Sequence, residues 1–178
     1  MNNNKENKTF YQTNAPIKLT EGRKLKLHTI GWGLLTEYYI ESVKINHYKK
    51  DKLSSVATLR ITDGAGHIAC VVKGLAVGLL FGLSQDEWRE VECLCGYQQQ
   101  LFYRYFKNGI VKSAPFEQKL FYNFCLINQS NSVLVAKFKR CINVRNKFKN
   151  EALLDIVELK QCNNHIMDLY INSLRKQS

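Results

Sequence analysis

The chain has 178 residues, of which 45% are hydrophobic, and its formal net charge is +11 at pH 7. This length suits one domain with extensions, and the hydrophobic share is sufficient for a core. Neither a transmembrane helix nor a signal peptide is expected, because the sequence lacks a long apolar run and begins with a stretch rich in Asn and Lys. The charge favours a polyanionic partner such as nucleic acid, although a basic protein without such a partner would have the same balance.

The first part of the chain, residues 1–27, is polar and basic, and we expect it to form a flexible arm. The next eight residues, HTIGWGLL, place two glycines around Trp32. We interpret this segment as a turn that carries one aromatic side chain onto the core. Residues 38–48 alternate between apolar and polar side chains, which predicts the first long strand.

The stretch from Ser55 to Lys73, SVATLRITDGAGHIACVVK, predicts a β-hairpin. β-Branched residues lie on both sides of Asp63-Gly64, and an Asp-Gly pair between such runs is a strong hairpin signal. Both arms approach a period of two, which is typical of strands with one buried face. A hairpin alone is only marginally stable in water, so we expect further strands to join it.

Helical spacing follows the hairpin. Leu75, Leu79, Leu80 and Leu83 predict a short helical segment. Ser84 and Glu87 have the capping-box spacing directly before Trp88 and the next predicted helix. Residues 98–107 predict a further helical segment.

Strands return after residue 108. The segments 119–127 and 132–144 are rich in aromatic and β-branched residues and predict a second hairpin. Asn150 is a suitable N-cap for a last helix, which we expect from Glu151 to about Leu174 with a possible interruption at residues 162–164.

The predicted elements are three strands, a helical connection and two strands, followed by a last helix. Three strands, a helical connection and two strands are the element order of the OB-fold, a five-stranded Greek-key barrel. Other small α+β folds share parts of this order. We therefore expect a mainly β domain with helices, in which a five-stranded OB barrel spans residues 28–149. A helical insertion would separate strands 3 and 4, and residues 150–178 would form a C-terminal helix for partner assembly.

Specific stretches support this expectation by resemblance. Four stretches together resemble the C-terminal DNA-binding domain of the large subunit of replication protein A. They are LRITDGAGHIACVVKG, KGLAVGLLFGLSQDEWREVE, QQLFYRYFKNG and LFYNFCLINQSNSVLVAKFKRCINV. The resemblance spans roughly residues 38–160 and consists of hydrophobicity and turns. That domain carries a four-cysteine zinc ribbon between its first two strands, whereas residues 49–54 contain no cysteine. The simpler domains of the middle subunit and of Stn1-like telomere proteins are therefore alternative relatives.

The resemblance implies a subunit that binds single-stranded DNA within a hetero-oligomeric complex like replication protein A. A nuclear, chromosomal location at the telomere is the preferred setting, and DNA repair or meiotic recombination are similar settings that the sequence does not separate. OB barrels bind single strands across their second and third strands and the adjoining loops, where cations follow the phosphates and aromatics stack on bases. The candidate DNA-binding residues are Tyr48, Lys49, Lys50, Lys52, Arg60, His67, Lys73, Lys137, Phe138, Lys139, Arg140, Arg145 and Lys147. Phe138 alternates with two lysines and could equally point into the barrel.

The last predicted helix offers an apolar face to other OB-fold subunits, formed by Leu153, Ile156, Val157, Ile166, Leu169 and Tyr170. An alternative function is a protein-interaction scaffold with little DNA binding of its own, and RNA binding is a third possibility. We expect no metal or cofactor, because Cys93 and Cys95 lack a second pair at zinc-like spacing. We expect no catalysis either, since no phosphate loop, nucleophile elbow or carboxylate pair beside a histidine is present.

Overall fold

One mixed β-sheet dominates the computed structural model of the protein, which describes residues 10–49, 52–62, 66–93, 132–145 and 151–176. Six strands form the sheet within those ranges, in the order β1-β5-β6-β4-β3-β2. The strands are β1 (Ile30–Leu35), β2 (Tyr38–Lys49), β3 (Lys52–Thr62), β4 (His67–Lys73), β5 (Leu134–Arg145) and β6 (Glu151–Gln161). The helices are α1 (Phe10–Thr13), a first 3₁₀ helix (Leu19–Lys24), a second 3₁₀ helix (Gly74–Phe81), α2 (Gln85–Cys93) and α3 (Asn164–Lys176).

The predicted central hairpin is confirmed. β3 and β4 pair antiparallel, with Val56 opposite Lys73 and Thr62 opposite His67. β2 extends this pair into a three-stranded antiparallel meander. β4 then pairs in parallel with β6, which is antiparallel to β5, and β5 is antiparallel to β1. The ends of the described sheet, β1 and β2, are therefore unpaired with each other but follow one another directly in the chain.

The main core lies between one face of this sheet, the second 3₁₀ helix and α2. Alternate residues of β3 and β4 point into it, which is why Ala57, Leu59 and Cys70 are fully buried. The predicted capping box is present at the start of α2. The Glu87 backbone N–H donates to the Ser84 hydroxyl at 3.2 Å, and the Ser84 N–H donates to the Glu87 carboxylate at 3.1 Å.

A buried polar bridge ties α2 to β3. The Trp88 indole donates to the Ser55 hydroxyl at 2.8 Å, and that hydroxyl donates to the Glu92 carboxyl at 2.8 Å. Trp88 also lies very close to the second 3₁₀ helix: a Cβ added to Gly78 would be only 2.6 Å from the Trp88 Cβ. Burial raises the pKa of the Glu92 carboxyl above its ordinary value.

A second, smaller core lies on the opposite face of β1 and β5, under α1 and α3. Trp32 is fully buried there, and its indole donates to the Asn14 carbonyl at 2.6 Å. Tyr11 from α1 packs edge-on against Trp32 with ring centroids 5.2 Å apart. Residues from both the beginning and the end of the described chain therefore cover this part of the sheet.

The structure corrects four expectations. The prediction of a turn around Trp32 was wrong, because this segment is strand β1. The prediction of a helix from Glu151 was wrong up to Gln161, because those residues form strand β6. Within the segment that was predicted as the last helix, the helical part is α3. The N-cap of α3 is Asn163, whose side chain accepts a hydrogen bond from the Ile166 N–H at 2.9 Å. The described sheet has six strands rather than five. The described part of the expected flexible arm packs on the sheet, with Tyr11 and Leu19 buried.

The prediction of a mainly β protein with helices is confirmed. The strand predicted over residues 38–48 is confirmed as β2, and the strand predicted from residue 132 is confirmed as β5. The predicted helical segment 98–107 and the predicted strand 119–127 lie outside the described residues.

Candidate nucleic-acid interface

The two faces of the meander β2–β3–β4 differ in chemistry. One face points into the main core, and residues directly opposite one another across the strands share the other face. We call this second face the open face. It comprises Tyr39, Glu41, Ser42, Lys44, Val56, Thr58, Arg60, Thr62, His67, Ala69, Val71 and Lys73.

The open face continues onto β5, β6 and β1, but there α1 and α3 cover it. Val135 is fully buried under these helices, and the Lys137 ammonium lies 4.4 Å from the centre of the Phe10 ring. The Lys160 ammonium similarly lies 4.1 Å from the Tyr11 ring, and Tyr11 donates to Glu158 at 2.8 Å. Among the described residues, the surface left for a large ligand on this side of the sheet is therefore the meander.

An aromatic ring and a guanidinium share one rung of the open face. Tyr39 lies directly opposite Arg60 and is 53% exposed, an unusual position for a large aromatic side chain. The Arg60 Nε donates to the Glu41 carboxylate at 2.7 Å, and both side chains are largely buried at 29% and 13% exposure. This bond fixes the guanidinium but uses only one of its five N–H groups. The rung thus presents two flat surfaces on which a nucleic-acid base could stack.

Two lysines lie on a second rung. Lys44 and Lys73 are both opposite Val56, one on each neighbouring strand, and both are exposed. With strands about 4.8 Å apart, their Cα atoms are separated by about 10 Å. Neither lysine belongs to the two salt bridges found among the described residues. The two rungs are four residues apart along β3, or about 13 Å, so cations and an aromatic ring lie along one extended strip.

The predicted DNA-binding residues divide between this strip and other places. Arg60, His67 and Lys73 lie on the open face, as the predicted strand register requires. Phe138 is fully buried in the main core, which removes it from any solvent-facing site. Lys139 is exposed opposite Asp155, whereas Lys137 lies beneath α1 as described above.

Arg140 has a structural position. Its Nη1 donates to the Cys141 carbonyl at 2.5 Å and lies 3.4 Å from the Leu153 carbonyl, and its Nε is buried. These contacts place its charge against the backbone of its own sheet. Of the remaining predicted residues, Lys50 and Lys147 lie outside the described residues, and the structure describes only the backbone of Tyr48, Lys49, Lys52 and Arg145.

The predicted partner-binding residues also separate. Ile156 is buried in the main core and Ile166 in the second core, and Leu169 and Tyr170 pack against the second core. Leu153 is partly buried beside the main core, while Val157 is 51% exposed. The structure therefore uses most of these side chains to hold α3 and β6 on the sheet, and only Val157 faces solvent prominently.

Tyr39 and Lys44 are the surface residues that the sequence interpretation missed. A β-bulge between Ile40 and Ser42 shifts the alternation within β2, so the two residues share a face although they are an odd number of positions apart. Tyr39 directly follows the buried Tyr38 in the sequence. Strict alternation counted from Val43 would have placed Tyr39 in the core.

Cys70, Cys93 and Cys162 are free thiols, and the described His, Cys, Asp and Glu residues form no group that could hold a metal ion. Burial raises the pKa of the Cys70 thiol far above its ordinary value, which leaves it protonated and weakly nucleophilic. None of the described helices has the length and apolar character needed to cross a bilayer.

No family model matches the chain, and no curated protein is significantly similar to it. The class that the described fold and surface define is a mixed β-sheet protein with a basic, partly aromatic open face.

Proposed function

We propose that the chain is an OB-type protein that binds single-stranded DNA on the open face of β2–β3–β4. Strand connectivity supports the fold proposal. A three-stranded meander, a connection containing α2, and a β5–β6 hairpin whose last strand runs parallel to β4 follow one another in the order expected of this Greek-key barrel.

The extra strand fits the same proposal. β1 and β2 occupy opposite ends of the sheet order, yet only Thr36 and Glu37 separate them in the chain. If β1 and β2 are counted as two halves of one bent first strand, the sheet has five strands. This first strand then lies at both ends of the sheet order. The Thr62 N–H donates to the Glu37 carbonyl at 3.3 Å, which extends the β2–β3 pairing into the link.

The observation that carries the binding proposal is the pair of rungs on the open face. The second and third strands of an OB barrel, β3 and β4 here, form the face on which oligonucleotides lie. Bases would stack on Tyr39 and Arg60, and phosphates would approach Lys44 and Lys73, which form neither of the salt bridges found among the described residues. The chain would act passively, by covering an exposed strand.

The setting within a replication protein A-like complex at the telomere is a proposal supported by the sequence resemblance alone. Partner subunits would have to bind outside the buried faces of β6 and α3, since those faces already pack within this chain.

Fluorescence anisotropy with a labelled single-stranded oligonucleotide tests the binding proposal. The double variant Lys44→Glu/Lys73→Glu should lose affinity at least tenfold, and the wild-type affinity should fall steeply with salt because phosphate contacts release counterions. The control Lys26→Glu/Lys176→Glu has the same charge change on exposed residues that do not belong to the strands of the open face. Equal losses in both double variants would mean that net charge alone drives binding.

A protein-interaction scaffold is the second candidate, and three exposed apolar side chains favour it. Leu27 and Ile30 are 48% and 49% exposed at the β1 side of the sheet, and Val157 is 51% exposed on β6. Absent or salt-independent oligonucleotide binding would favour this candidate. Competition between DNA and RNA of equal sequence separates the RNA alternative.

A further inference from the structure

A basic pocket lies beside the hairpin end of β3 and β4. It has a volume of about 260 Å³ and is lined by Lys18, Thr20, Glu21, Arg23, Lys24, Gly66 and His67. This volume is just below the range of about 300–1,000 Å³ that is typical of sites for drug-sized ligands. The pocket therefore suits a small group rather than a large organic molecule.

The charges in the lining favour an anion. Three basic side chains, Lys18, Arg23 and Lys24, line the pocket together with one acidic side chain, Glu21. The lysines are exposed and form none of the described salt bridges. The Arg23 guanidinium donates through Nη2 to the His67 carbonyl, which orients it and leaves its other N–H groups for a ligand.

The segment that carries these cations is anchored. Leu19, at the start of the first 3₁₀ helix, is 4% exposed and belongs to the main core. Gly22 packs so closely that a Cβ there would lie 2.9 Å from the Leu154 side chain. Because the backbone between the cationic residues is held against the sheet, the pocket keeps its shape without a ligand, which lowers the entropic cost of binding.

The pocket extends the open face. His67 lies opposite Thr62, two residues or about 7 Å beyond Arg60 along β3. A strand that stacks on the Tyr39–Arg60 rung and continues in this direction would reach the pocket with its next phosphates.

We propose that this pocket is a phosphate-binding site. Lysine ammonium groups bind phosphate as point charges, and a guanidinium binds it through paired N–H groups. The role of the site in holding a DNA strand rests on the proposed function, whereas its affinity for phosphate does not. The phosphate would belong either to a nucleic-acid strand or to a small phosphorylated molecule.

Nuclear magnetic resonance with inorganic phosphate tests the site itself. At constant ionic strength against chloride, phosphate should shift the backbone amides of Thr20, Gly66 and His67 most strongly. The shifts should disappear in Lys18→Glu/Lys24→Glu and remain in the control Lys26→Glu/Lys176→Glu. Equal shifts with chloride, or shifts that persist in the pocket variant, would overturn the assignment.

Oligonucleotides with and without a 5′-phosphate then identify the source of the phosphate. If the pocket holds one phosphate of a strand, the pocket variant should bind oligonucleotide at least fivefold more weakly, and the salt slope should fall by about 0.7. A preference for the 5′-phosphorylated form assigns a terminal phosphate. Unchanged oligonucleotide affinity in the pocket variant overturns the strand role. Phosphate shifts in a wild-type protein that binds no oligonucleotide would leave the site intact and refute the proposed function.

Discussion

The buried bridge between α2 and β3 allows a stability prediction with a magnitude. Ser55 and Trp88 are fully buried and Glu92 is 4% exposed, and both hydrogen bonds of the bridge are 2.8 Å long. The substitution Ser55→Ala removes the hydroxyl that accepts from the indole and donates to the carboxyl. It leaves both partner groups in the same buried place.

The expected cost comes mainly from the indole N–H, because Glu92 keeps a backbone hydrogen bond from residue 55. A buried polar group that loses its partner costs about 1–3 kcal/mol, so the free energy of unfolding should fall by about 1–3 kcal/mol. This is a large fraction of the 5–15 kcal/mol or so that is typical of a folded protein. At about 2–4 °C per kcal/mol for a chain of this size, Tm should fall by at least about 2 °C.

Urea unfolding followed by circular dichroism measures the change. Ser42→Ala is the matched control, because it removes the same hydroxyl from the open face of the neighbouring strand, where it should cost less than about 0.5 kcal/mol. In a Trp88→Phe background the cost of Ser55→Ala should shrink, since the indole N–H that the hydroxyl accepts from is absent. If Ser55→Ala and Ser42→Ala cost the same, the reasoning is refuted, because the bridge would then be hydrated.

The remaining predictions concern Glu92 and Tyr39. Burial raises the pKa of Glu92 in the folded state, so the protonated carboxyl stabilises the folded protein. This stabilisation is complete below the ordinary pKa of about 4.5, and it is lost as the pH rises through the folded-state pKa. Glu92→Gln cannot ionise, so its stability relative to wild type should increase between about pH 4 and pH 7 in urea unfolding; a difference independent of pH would contradict the burial of this carboxyl. Tyr39→Ala should weaken oligonucleotide binding about 5- to 150-fold, the equivalent of about 1–3 kcal/mol of stacking. Tyr39→Phe should retain most of the affinity, Tm should be unchanged in both, and an Ala variant within twofold of wild type would exclude Tyr39 from the site.

Local signals predicted the central part of the fold well. Alternation around Asp63-Gly64 predicted the β3–β4 hairpin, and the Ser84–Glu87 spacing predicted the start of α2, because both features depend on residues close in sequence. The same alternation placed Arg60 and Lys73 on the open face.

The failure at β6 has a physical cause. The segment EALLDIVELKQ consists largely of good helix formers, and its core residues are Leu154, Ile156 and Leu159. A bulge opposite the Lys137–Phe138 step makes Val157 an extra residue, which breaks the period of two and imitates helical spacing. Pairing with β4 and β5 overrides the helical preference of this segment. That pairing joins residues far apart in the chain, so the local sequence pattern does not reveal it.

The failure at β1 concerns glycine. Gly31 and Gly33 suggested a turn, but they allow close approach within a strand. A Cβ on Gly33 would lie 2.4 Å from the Ile17 carbonyl, and one on Gly31 would lie 2.8 Å from the Phe138 ring. The alternating Ile30, Trp32 and Leu34 were the signal that could have identified this strand.

The pairing of β1 with β5 also determines when the protein can finish folding. Ile30 must find Lys139, and the Tyr11 hydroxyl bonds to a carboxylate 147 positions away. Closing such long loops is entropically costly and slows folding. As the chain emerges from the ribosome, the meander can assemble from adjacent segments, while Trp32 stays without its cover until α3 has been synthesised. We therefore expect the meander to be the earlier folding unit and the Trp32 side of the sheet to be the last to become protected from hydrogen exchange during refolding.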